Sequence, residues 1–135
     1  MHGWLFSLAF LAALLAPCAE AAVPTQERPI AVLRALDKMT ARVEEIEAPV
    51  GKSVFSGSLA VLVRTCRVTM PEETPPESAA FLEVGAVNIG AADTPLFTGW
   101  MFASSPALSA MEHPISDIWV IGCKEQAPQA ASAAQ

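Results

Sequence analysis

"SLAVLVRTCRV", residues 58–68, carries the strongest local signal in the chain. Aliphatic and β-branched side chains dominate it, and Leu59, Val61 and Val63 recur at every second position. Successive side chains of an extended chain point to opposite faces, so this spacing predicts a strand with one apolar face. "SGS" at 56–58 supplies a turn before it, and the proline-rich "MPEETPPES" at 70–78 breaks it afterwards.

Working outward, four more segments read as strands: "TARVEEIEAPVGK" (40–52), "ESAAFLEVGAV" (77–87), "PLFTGWMFAS" (95–104) and "SDIWVIGC" (116–123). The stretch "IAVLRALDKM" (30–39) is open to two readings. Ile30, Leu33 and Leu36 would share a helical face behind Pro29, whereas Asp37-Lys38 would suit a hairpin turn. The neighbouring strands favour the hairpin. The expected fold is mainly β: a small antiparallel barrel or sandwich of five to six strands, with one short helix between the last two strands.

The ends read differently from the middle. Trp4 to Leu15 is free of charge, too short to cross a bilayer as a helix and the right size for the apolar region of a signal peptide. Ala19 and Ala21 supply the small residues for cleavage before Ala22. The expected organisation is a signal peptide at 1–21, a flexible lead-in at 22–29, one β-rich domain at 30–123 and a disordered tail at 124–135. The expected location is the periplasm, with no transmembrane span after cleavage. Leu15-Ala16-Pro17-Cys18 resembles a lipobox, but proline directly before Cys18 argues against lipidation.

From residue 22 onward the chain has 114 residues, with 8 basic against 13 acidic side chains. That length supports one small core. A net charge of −5 without a run of lysine or arginine makes nucleic acid and anionic lipid poor partners, because phosphates would be repelled.

Cys66 and Cys123 remain after cleavage. In an oxidising compartment two cysteines allow one pairing, and closing a loop of this length stabilises by about 4 kcal/mol in the chain-entropy model. Zinc lacks ligands here: there is no C-x-x-C, and His113 is the one histidine after residue 21. No metal or other cofactor is expected.

Residues 96–123 concentrate the remaining chemistry. By strand parity Phe97, Gly99 and Met101 point one way, and Thr98, Trp100 and Phe102 the other. Apolar groups on both faces suggest a central strand covered on both sides, or else an aromatic patch for a partner. Ser104 or Ser105 could cap a short helix begun by Pro106 and stopped by Pro114, with His113 at its end. An enzyme reading would make Ser105 or Ser109 a nucleophile, His113 its base and Asp117 the orienting acid. The spacing is generic, and no G-x-S-x-G turn accompanies it. Glu72, Glu73 and Glu77 sit among Pro71, Pro75 and Pro76, which reads as a stiff solvated loop that would meet a basic partner.

The strings "APVGK", "LAVLVRTC", "PEETPPESAAFLEV" and "FTGWMFASSPALSAMEHPISDIWVIGC" occur in this order over residues 30–123. The chain there resembles the small exported alphaproteobacterial proteins grouped as domain of unknown function 2155. Positions matching that pattern include Cys66, Glu72, Glu77, Gly99, Trp100, Ser105, Pro106, His113, Pro114, Asp117, Trp119 and Cys123. The resemblance implies no activity. The expected function is therefore a non-catalytic module that binds an envelope protein or cell-wall component. Its candidate surface comprises Trp100, Ser105, Met111, Glu112, His113, Asp117, Glu72, Glu73 and Glu77. A small serine hydrolase and a purely structural envelope component are the alternatives.

Overall fold

The computed structural model describes residues 23–126. The signal-peptide and lipobox readings, and the tail beyond residue 126, lie outside it. Eight strands follow in chain order: β1 (Gln26–Glu27), β2 (Ile30–Asp37), β3 (Arg42–Pro49), β4 (Ser53–Ser56), β5 (Leu59–Val68), β6 (Ser78–Ala86), β7 (Thr94–Phe102) and β8 (Ser116–Lys124). All pairings are antiparallel.

β5 is the hub, as its alternation suggests. Leu59, Val61 and Val63 are buried, each contributing on the order of 2 kcal/mol by removal from water. One edge of β5 pairs with β6, and β6 with β7. Its other edge is covered piecewise, by β4 at Leu59–Leu62 and by β1 at Arg67–Val68. Between these, Gly51 N donates to Val63 O at 2.8 Å and Arg28 N to Cys66 O at 2.8 Å. The chain turns out of this five-stranded sheet at Arg28–Pro29 and returns at Val50–Lys52. The intervening β2–β3 hairpin belongs to a second, three-stranded sheet ordered β3-β2-β8.

The 30–39 ambiguity thus resolves as strand and hairpin turn. Asp37 Oδ1 accepts from Met39 N at 2.8 Å and Thr40 N at 3.3 Å, closing that turn. Helical packing of Ile30, Leu33 and Leu36 loses because Ala31, Leu33 and Ala35 are the residues that face the core, at period two. Two parts of the expected architecture need correction. The sheets are separate ladders joined at corners, so the fold is not a closed barrel. The described residues form eight strands instead of five or six, since β4 and the two-residue β1 are too short to show a period.

The sheets share one core: Ala31, Leu33, Ile118 and Val120 from one meet Val61, Val63, Leu82 and Met101 from the other. Strict alternation would turn Cys66 and Cys123 away from this core. It fails in both strands for the same reason. The β5–β6 register skips Arg64, so Cys66 takes the inward position opposite Ala80. The β2–β8 register skips Ile121, so Cys123 takes the inward position opposite Ala31. Each skipped residue is a β-bulge, which re-aims the side chains that follow it. Cys66 and Cys123 are disulfide-bonded with their Cα atoms 5.8 Å apart, joining the five-stranded sheet to the three-stranded one.

Candidate functional site

The connection from β7 to β8 crosses between the sheets, and three anchors fix its course. At its start, Glu77 Oε1 accepts from Ser104 N at 3.1 Å and from Ser78 N at 2.9 Å, while Ser104 Oγ donates to Glu77 Oε2. The backbone of Glu77 is itself held, its N donating to Thr69 Oγ1 at 3.1 Å and its O accepting from Thr69 N at 3.0 Å. This one carboxylate therefore buckles the proline-rich loop to the 103–105 turn. In the middle, Met111 is 4% exposed and packs in the core. At the end, Lys38 N donates to Ile115 O at 2.9 Å, and Lys38 Nζ donates to His113 O at 2.9 Å and pairs with Asp117 Oδ1 at 2.9 Å.

These anchors revise the sequence reading residue by residue. The expected helix is a single 3-10 turn, Pro106–Ser109. Ser105 stands at its N-cap without a side-chain cap bond, and the chain is extended again at Ala110. A longer helix is prevented because Met111 must reach the core. For the same reason Met111 is not part of a binding surface. His113 does not cap a helix: its Nδ1 accepts from Ile115 N at 3.4 Å, a bond within its own turn. Glu73 closes the Met70–Glu73 turn, its Oε2 accepting from Met70 N at 2.7 Å. Of the three loop carboxylates, Glu72 is the exposed one, as is Glu112 farther along.

A serine triad needs the histidine Nδ1–H directed at the acid. Here Nδ1 acts as an acceptor, and the Asp117 carboxylate is taken by Lys38. Ser105, Ser109 and His113 lie in the β7–β8 connection and Asp117 at the start of β8, and no hydrogen-bonded chain among the described residues joins them. No group of three His, Cys, Asp or Glu side chains is placed to hold a metal among the described residues.

Trp100 lies on β7, which is an edge strand and not the covered central strand expected. Met101 fills the core face, while Trp100 remains 39% exposed on the outer face. There its ring meets the cross-strand Phe81 edge-on, with centroids 5.7 Å apart. At the crest of the 3-10 turn, Leu108 is 75% exposed.

Sequence reading missed a cleft of about 370 Å³ at the end of the two sheets, where Met39 and Ile115 form lips over Leu36, Leu59 and Ile118. These residues come from three strands and two connections, so no local pattern announces them.

The fold and its anchors define a two-sheet antiparallel β domain, stapled between sheets and carrying one braced surface loop. A family model described as "Uncharacterized protein conserved in bacteria (DUF2155)" matches residues 31–123, and the chain belongs to that family. It is also similar to an uncharacterized protein of Rickettsia prowazekii (strain Madrid E), with 32% identity over 89 residues, or 66% of this chain. The match spans 57% of that relative's length. No solved structure matches the chain. Among the described residues, no helix is long and apolar enough to cross a membrane.

Proposed function

We propose that the chain is an exported binding module that docks a protein or cell-wall component of the bacterial envelope, through residues 71–78 and 104–117. The observation that carries this reading is the Glu77 buckle. A single carboxylate holds two surface loops in a fixed relation, so that Glu72, Leu108, Glu112 and His113 are presented on a braced frame. Bracing of this kind lowers the ordering cost of association. The exposed apolar tip at Leu108 with acidic groups beside it suits a partner with a basic rim around an apolar pocket. Export is supported by the uncharged Trp4–Leu15 run ahead of Ala19 and Ala21, and by a disulfide that suits an oxidising compartment.

Photo-crosslinking in cells tests this directly. Probes at Leu108 and Glu112 should capture the same envelope component, and a probe at Val43 on β3 should not. Loss of that capture in Glu77→Ala, with the folded protein still present, is the expected confirmation. Equal capture from Val43 would defeat the proposal.

A further inference from the structure

Three of the five arginines, Arg28 and the β5 pair Arg64 and Arg67, meet in one groove of about 530 Å³ at the corner where β1 leads into β2. Its walls are Glu27, Arg28, Val50, Arg64, Thr65 and Arg67. The β5 bulge creates the cluster. Strict alternation would place Arg64 opposite in face to Thr65 and Arg67, but the extra residue leaves all three directed away from the core. The clustering is unexpected in a chain with a formal charge of −6.

Internal acids neutralise part of this charge. Arg64 Nε and Nη2 hold the Glu83 carboxylate in a two-pronged contact at 3.2 and 3.1 Å. Arg67 Nη2 meets Glu27 Oε1 at 3.2 Å, but the Glu27 side chain is 72% exposed, so that pair is loosely held. Among the described residues, no carboxylate pairs with Arg28. It donates to Gln26 Oε1 at 3.1 Å and to Glu27 O at 3.3 Å. Among the described residues, Arg67 Nε is a buried side-chain donor without a hydrogen-bond partner. Counting Glu27 and Glu83 against the three guanidiniums, the groove keeps one positive charge.

We infer that this groove is a binding site for an oxyanion, a carboxylate or phosphate group of a small ligand, taken by the guanidiniums of Arg28 and Arg67 with the Thr65 hydroxyl beside them. A planar or tetrahedral oxyanion matches the donor fork of arginine, and it would replace Glu27 as the partner of Arg67. The acidic remainder of the surface repels such a ligand elsewhere and leaves this groove as its point of entry. This site is separate from the surface at 71–78 and 104–117 and stands without it.

The test is a pair of NMR titrations of the purified protein at constant ionic strength, one with inorganic phosphate and one with succinate, following the Arg Nε–Hε and Thr65 amide signals. Saturable shifts at Arg28, Thr65 and Arg67 are expected. Saturation by phosphate alone assigns a phosphate ligand, and by succinate alone a carboxylate ligand. Arg28→Ala should weaken binding about tenfold, whereas Arg34→Ala on the three-stranded sheet should change it less than twofold. Glu27→Gln, which removes the competing acid, should tighten binding several-fold. The inference is overturned if neither anion saturates, if Arg34→Ala weakens binding as much as Arg28→Ala, or if Glu27→Gln loosens it.

Discussion

Cys66 and Cys123 face each other across the two sheets because each strand carries one extra residue shortly before its cysteine, Arg64 in β5 and Ile121 in β8. The bulges and the disulfide are one device. Deleting Ile121 would remove the bulge and leave Cys123 two residues after Val120, inward by regular alternation. That deletion is expected to keep the disulfide, with no titratable thiol at Cys66 or Cys123 in the folded protein. Two titratable thiols in the deletion variant would show that Ile121 is not simply one extra residue between two inward positions.

Glu77 is expected to matter far more than its neighbour Glu72, although both are loop glutamates. Its carboxylate accepts three bonds, two from Ser104 and one from Ser78 N. Hydrogen bonds to a charged group contribute about 1.5–3 kcal/mol when partners are left unpaired. Glu77→Ala should therefore cost about 2 kcal/mol in denaturant unfolding, and Glu72→Ala less than about 0.5 kcal/mol.

Met111 separates a core role from a surface role. At 4% exposure its truncation leaves a cavity, and Met111→Ala should cost about 2–5 kcal/mol. Leu108→Ala, at the exposed crest of the same loop, should leave stability within about 0.5 kcal/mol. Urea unfolding of the two variants checks the contrast.

Acid should loosen the β2–β3 turn. The N–H groups of Met39 and Thr40, donating to the Asp37 carboxylate, hold its pKa below the ordinary 3.8. A depressed folded pKa gives stability that is present above 3.8 and lost as pH falls through the folded value. The stability difference between the native chain and Asp37→Asn should thus be constant from neutral pH down to about pH 5 and shrink below 3.8. A difference that grows on acidification would reverse the assignment.

The elements whose pattern is local were legible in the sequence. Leu59, Val61 and Val63 announce β5, and Asp37-Lys38 announces the first hairpin. What escaped was set by contacts between distant segments. A bulge at Arg64 or Ile121 has no local signature, and strict alternation would put both cysteines on the wrong face even though their number implies their pairing. "SSP" at 104–106 suggested a short helix, but only a 3-10 turn forms, Ser105 makes no cap bond, and the chain extends again to carry Met111 into the core. The mixed faces of β7 suggested a strand covered on both sides, because nothing local distinguishes an edge strand whose Trp100 packs on an open face against Phe81 of β6. Arg28, Arg64 and Arg67 form no charge run and meet only through the corner between the sheets.

The central claim is that one covalent bond between β5 and β8 joins the two sheets. Protein isolated without reductant, alkylated in denaturant and digested, should yield a peptide pair linked through Cys66 and Cys123, with neither residue alkylated. Recovery of both cysteines as alkylated, unlinked peptides would contradict the account.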